Sequence, residues 1–188
     1  VTFTCEDLHE LTRVVTEAWG RGLDRDWSAR AGLLEWSCSQ TADHTVDTVF
    51  APAIFLASRN LGGYPEYRIT TPGPDADPLQ YIEALQTATR VLSAVVRDAD
   101  SQARAVIWRR PRVETRGPAD FVPRGGLELI LHGQDVCAGL NIAFDPPDEL
   151  CERLRRHTES WPMWHSPGWT ALRMEGPAWT DLLRASGR

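Results

Sequence analysis

Glu128 and His132 stand four residues apart in an apolar run from Leu127 to Val136. On a helix that spacing stacks both side chains on one face. Asp135 follows three positions after His132, and Arg124 precedes Glu128 by four, so one stripe carries four polar groups. Leu127, Leu129, Ile130, Leu131 and Val136 flank the stripe on both sides, which points it toward an interior or a cleft. An ionised glutamate in such a place is costly unless a cation satisfies it. A divalent metal ion would satisfy Glu128 and His132 together. Two local pairings compete with that reading on spacing alone: Arg124 with Glu128 along a solvated helix, and Glu128 hydrogen-bonded to His132.

His44 is the natural third ligand. Thr41, Asp47, Thr48, Ala51 and Phe55 share its stripe, while Ala42, Val46, Val49, Ala53 and Leu56 form a second, apolar one. A helix apolar on two sides tends to be buried. The alternative is a capped or exposed polar residue near the start of its helix. His9, among Glu6, Glu10 and Arg13, reads as exposed; His157 lies in an arginine-rich run, and His165 in a Trp/Pro-rich loop. Cys137 shares the helix of His132 but sits about 140° away around the axis, as a small core residue would. The sequence holds no nucleophile-elbow, phosphate-loop or dinucleotide motif, Gly125-Gly126 being too little for one, and no catalytic side chain is singled out.

These residues need helices to position them, and helices dominate the pattern. The first is expected from about Cys5 to Leu23, capped by Thr4, with Leu8, Leu11, Val15, Ala18 and Trp19 on one face. The second begins near Ser39 and stops before Gly62-Gly63, with Pro52 inside it as a kink. A Pro/Gly-rich connection follows, from Gly62-Gly63 through Thr71-Pro72-Gly73-Pro74 to Asp77. Asp77-Pro78 then opens a third helix, with Leu85, Ala88, Leu92, Val95 and Ala99 on one face. Ala105 to Trp108 reads as a short extended piece followed by solvated arginines, and no run of strands is expected. The fourth helix covers Gly125 to Ala138, begins somewhat earlier and ends at Gly139; a fifth starts at Asp145-Pro146. One more short helix is expected at Trp179 to Leu183. The fold class is therefore all-α: a helical bundle with one long crossover and a C-terminal extension.

The chain of 188 residues reads as one domain, 1–188, with a core bundle over 1–161 and an extension over 162–188. Twenty basic residues, all arginine, against 26 acidic ones give a net charge of −6. That balance argues against nucleic acid as a partner. The longest apolar stretch, Val49 to Ala57, is too short to span a membrane, so a cytoplasmic location is expected. Cys5, Cys38, Cys137 and Cys151 form no CxxC pair and read as reduced, buried thiols. Oligomeric state stays open, a homodimer included.

Two segments carry a family resemblance. Trp36 to His44 (WSCSQTADH) resembles the entrance to the second helix of the DinB-like metalloenzymes. Gly126 to Leu140 (GLELILHGQDVCAGL) resembles the ExxxHxxD segment of the mycothiol-dependent maleylpyruvate isomerase branch. Phe144 to Leu150 (FDPPDEL) and Trp179 to Arg188 (WTDLLRASGR) are also similar to that branch. The resemblance implies a four-helix bundle of up-down-down-up topology. It also implies a divalent metal, usually zinc, held by His44, Glu128 and His132.

It further implies an open coordination position that takes a low-molecular-weight thiol, mycothiol in this branch, as co-substrate. Arg124 and Trp36, with Trp108, are candidates for the walls of the thiol or substrate pocket, and Asp135 or Asp47 for the partner of a ligand histidine. The isomerases carry a further C-terminal domain with an active-site arginine, for which this chain leaves no room. The expectation is therefore a zinc-dependent thiol S-transferase acting on a small electrophile, before isomerisation itself. A non-haem iron protein, which also uses two histidines and a carboxylate, and a non-enzymatic metal- or ligand-binding bundle are the alternatives.

Overall fold

In the computed structural model, which describes residues 2–65, 67, 76–110 and 112–188, the first three helices start where a side-chain cap meets an apolar stripe. Helix α1 (Cys5–Gly20) opens with a reciprocal capping box between Thr4 and Asp7 and buries Leu8, Leu11, Val15, Ala18 and Trp19. Helix α2 (Cys38–Ser58) is capped by Ser37, whose hydroxyl accepts from the Gln40 N–H at 3.1 Å. Helix α3 (Pro78–Asp98) is capped by Asp77, as the Asp-Pro pair predicts. The stretch Thr71-Pro72-Gly73-Pro74 lies outside the described residues. Helix α4 (Phe121–Gly139) starts four residues before Gly125, and α5 (Asp148–Thr158) starts after Pro147 and not at Asp145. Helix α6 (Ala178–Ala185) closes the series.

Helices α1 and α2 each pack against both α3 and α4, so the chain among the described residues is predominantly helical around one core. Pro52 is accommodated within α2, which continues to Ser58 although proline removes one helical donor. Two glycines let α4 come close to its neighbours. A Cβ at Gly125 would lie 2.8 Å from the Leu92 side chain, and one at Gly139 would lie 2.4 Å from the Arg30 carbonyl and the Cys38 sulfur. Gly125-Gly126 thus serves packing.

The extended piece is real and has a partner: β1 (Ala105–Trp108) pairs antiparallel with β2 (Glu114–Arg116) through a bulge between Val106 and Trp108. All four β1 residues are buried, and the Val106 N–H donates to the Asn60 carbonyl at 2.9 Å. Strand β2 was not expected; its three polar residues, Glu-Thr-Arg, carry no alternation to read.

The tail folds back on α5. Arg155 and Asp181, both buried, form an ion pair, and Arg155 Nη1 also donates to the Gly176 carbonyl at 2.9 Å. Trp161 and Trp164 are buried, and the Trp164 indole donates to the Thr158 carbonyl at 2.8 Å. All four cysteines are free and buried. No helix among the described residues is long and apolar enough to cross a membrane.

Candidate metal centre

Helices α2 and α4 pack closely, and their facing polar stripes meet half-buried. His44 comes from the second turn of α2; Glu128 and His132 come from successive turns of α4. Each offers one ligand atom, and the three atoms lie within 4.8 Å of one another. The two imidazoles meet edge to face with centroids 5.1 Å apart, and Trp36 closes over His44 with centroids 4.9 Å apart.

The hydrogen bonds fix the roles of the ring nitrogens. His132 Nδ1 lies 3.1 Å from Asp135 Oδ2, and His132 Nε2 lies 3.4 Å from Glu128 Oε2. A carboxylate can only accept, so Nδ1 donates to Asp135; in the protonated ring Nε2 donates to Glu128, and once the ring is neutral the Nε2 lone pair faces the cluster. Asp135 is buried and also accepts two bonds from Arg188, at 2.9 and 2.6 Å.

Both local pairings left open by the sequence are present beside the cluster. Arg124 Nη1 pairs with Glu128 Oε1, and Glu128 faces His132. The Arg124 guanidinium also lies 4.6 Å over the ring of the buried Trp108.

The electrostatics follow from these neighbours. Burial pushes the Glu128 carboxyl up, but the charge of Arg124 and the bond to His132 outweigh it and hold the group well below the carboxylate range. Burial also acts against a charged His132, yet the bonds to Asp135 and Glu128 prevail and hold its pKa up to about 8. His44 is held below the usual histidine value by burial and then by the charge of His132. For Asp135, burial raises the pKa, and His132 and Arg188 more than reverse it.

This donor set fits a divalent cation. Two imidazole nitrogens and one ionised carboxylate oxygen converge, Asp135 accepts from the far nitrogen of one imidazole, and three protein donors leave a position open. Glu128 meets Arg124 through Oε1 and His132 through Oε2. The set suits zinc and ferrous iron equally.

Two cavities flank the cluster. One of about 220 Å³ is lined by Trp36, Gln40, Asp43 and His44. The other, of about 190 Å³, lies between Arg124, Asp47, Phe55, Tyr64 and Tyr67. Trp36, 44% exposed, lines the first of these cavities. Phe55 stacks on Tyr64 with centroids 4.0 Å apart, and the Arg109 guanidinium lies 4.3 Å over the same tyrosine ring. Sequence reasoning missed Tyr64 and Tyr67, because they fall in the connection after α2, where no periodicity marks a face.

The remaining candidates lie elsewhere. His157 Nδ1 accepts from the Phe3 N–H at 3.1 Å, and its Nε2 lies 3.2 Å from Asp120, so it ties the N-terminus to α5. His9 lines a groove between α1 and α3, and His165 is exposed. Cys137 is buried, and burial pushes its thiol up to about 12, which suits a core residue.

A predominantly helical chain thus holds a His/Glu/His cluster between its second and fourth helices. Among solved structures, mycothiol-dependent maleylpyruvate isomerase matches over 89% of this chain and 75% of its own, with TM-score 0.55 and 18% identity. A histidine-to-alanine mutant of that enzyme matches over the same shares, with TM-score 0.56 and 17% identity. At these identities the likeness is one of fold. No protein-family model and no curated protein matches the sequence.

Proposed function

We propose that this chain is a zinc-dependent thiol S-transferase or isomerase that activates mycothiol for attack on a small electrophile. The convergence of His44, Glu128 and His132 within 4.8 Å of one another carries this reading. Likeness of fold to an enzyme named for its dependence on mycothiol supports the choice of thiol. The four long helices are assigned to the up-down-down-up bundle within residues 1–161, with 162–188 as its extension.

His44, Glu128 and His132 would hold the cation, which when bound would favour the thiolate of an entering thiol over its protonated form, normally of pKa about 8.5. Asp135 keeps the Nδ1 proton of His132 in place, so the Nε2 lone pair stays turned toward the cluster. Trp36 shields His44 on the side of one cavity, where a small thiol could be seated. Arg124, which lines the other cavity, would hold the electrophile there. On this reading the nucleophile and the electrophile are each held in a cavity beside the cluster.

The test is metal analysis of protein purified without added metal, followed by conjugation assays with mycothiol, using a chromogenic electrophile and maleylpyruvate in parallel. Zinc and turnover above the buffer rate are expected, with both lost in His132→Ala. Iron in place of zinc would sink the choice of metal. Turnover no faster than buffer in a zinc-loaded protein would leave only a metal-binding bundle.

A further inference from the structure

The last four residues, Ala185-Ser186-Gly187-Arg188, end α6 in a turn that points back at α4. Gly187 adopts a left-handed φ of +76°. Its N–H donates to the Arg184 carbonyl at 3.2 Å, and the Arg188 N–H donates to the Leu183 carbonyl at 2.9 Å. Those two bonds and the glycine make a Schellman turn, a rigid way to end a helix. From the other side, the Thr170 N–H donates to the Ala185 carbonyl at 2.8 Å. The direction in which the Arg188 side chain leaves the backbone is therefore set by the turn.

That side chain reaches Asp135, 53 positions away and 2% exposed. Nε donates to Oδ1 at 2.9 Å and Nη2 to Oδ2 at 2.6 Å, the planar fork-on-carboxylate geometry specific to arginine. Oδ2 is also the acceptor for His132 Nδ1. An aspartate bonded only to the imidazole could rotate about its own side-chain axis and carry the ring with it. A carboxylate gripped at both oxygens cannot.

We propose that Arg188 is a positioning residue for the metal centre: its fork fixes the plane of Asp135, and Asp135 fixes the ring of His132 with Nε2 toward Glu128 and His44. The proposal rests on the reading that these three residues hold a divalent cation. The C-terminal extension is thereby part of the site, although it supplies no ligand.

Zinc affinity of the full chain, measured by competition with a chromogenic chelator, tests this together with the visible spectrum of the cobalt(II)-substituted protein. Wild-type protein sets the reference: if it binds no zinc in a manner sensitive to His132→Ala, the metal reading fails and this proposal with it. Given a wild-type site, Arg188→Ala is expected to weaken zinc binding about tenfold and to alter the cobalt spectrum. Arg188→Lys should recover only part, because a point charge cannot grip both oxygens. Gly187→Ala should shift affinity the same way with the arginine still present, and it decides the matter if Arg188→Ala does not fold. Arg173→Ala, in an exposed ion pair of the same tail, should change nothing. Affinity and spectrum equal to wild type in Arg188→Ala and Gly187→Ala would overturn the positioning role while leaving the metal site standing.

Discussion

His132 uses one ring nitrogen to be held and the other to face the cluster, and that division gives it opposite pH responses with and without metal. In the metal-free protein its pKa is held up to about 8, against 6.5 for an unperturbed histidine. A group raised on folding contributes its full stability below 6.5 and loses it as pH rises through about 8; the difference is worth about 2 kcal/mol. Metal binding needs the neutral ring, so zinc affinity should rise over the same window. Chelator-treated protein is expected to lose about 2 kcal/mol of unfolding free energy between pH 6.5 and 9, measured in urea. His132→Gln should flatten that slope; a slope that survives the substitution belongs to another group. Cys137→Ala makes a companion prediction. The thiol is buried and pushed up to about 12, so metal content by mass spectrometry should stay unchanged. Loss of the metal would instead make the thiol a ligand.

Helix α4 carries two of the three cluster residues, and its closeness to α2 depends on glycine. A Cβ at Gly139 would meet a backbone carbonyl and a buried sulfur at 2.4 Å, neither of which can swing aside. Gly139→Ala should therefore destabilise the fold by about 1–3 kcal/mol despite alanine's better helix propensity. Unchanged stability in urea would show that α4 can slide. The same helix shows why part of the site was legible in advance. Spacing of four stacks Glu128 on His132 in any helix, and apolar residues on both sides of the stripe mark it as inward-facing. For His44 the two-sided apolar pattern of α2 left a capped or exposed residue open, and it was the family resemblance that named it as a ligand. Arg188 and Tyr64 gave no such signal, because they reach the site through a turn and a connection, not along a helix face. Element boundaries slipped where caps competed: Ser37 and not a later residue starts α2, and Pro146-Pro147 delays α5 by three positions past Asp145. Strand β2 is paired polar sequence, visible only once β1 is buried beside it.

Across the molecule, the cluster joins parts of the chain that nothing covalent ties together: residue 44 on α2, residues 128 and 132 on α4, and, through Asp135, the tail at 188. A cation bound only by the folded form stabilises it by mass action, by about 2.7 kcal/mol at a free concentration a hundredfold above its dissociation constant. For a domain of this size that is a rise of about 5–10 °C in melting temperature. His44→Ala and His132→Ala should each abolish the rise, since each removes one candidate ligand, from α2 and α4 respectively. The tail offers a control of the opposite kind. Asp181→Ala strips the buried Arg155 of its carboxylate partner in α6, leaving Glu152 and the Gly176 carbonyl, and should cost about 3 kcal/mol with or without zinc. It should also weaken zinc binding, because the turn that aims Arg188 is built on the same helix. Scanning calorimetry of the four proteins, with and without zinc, separates these effects. A zinc-induced rise that persists in both histidine variants would place the cation somewhere other than between α2 and α4.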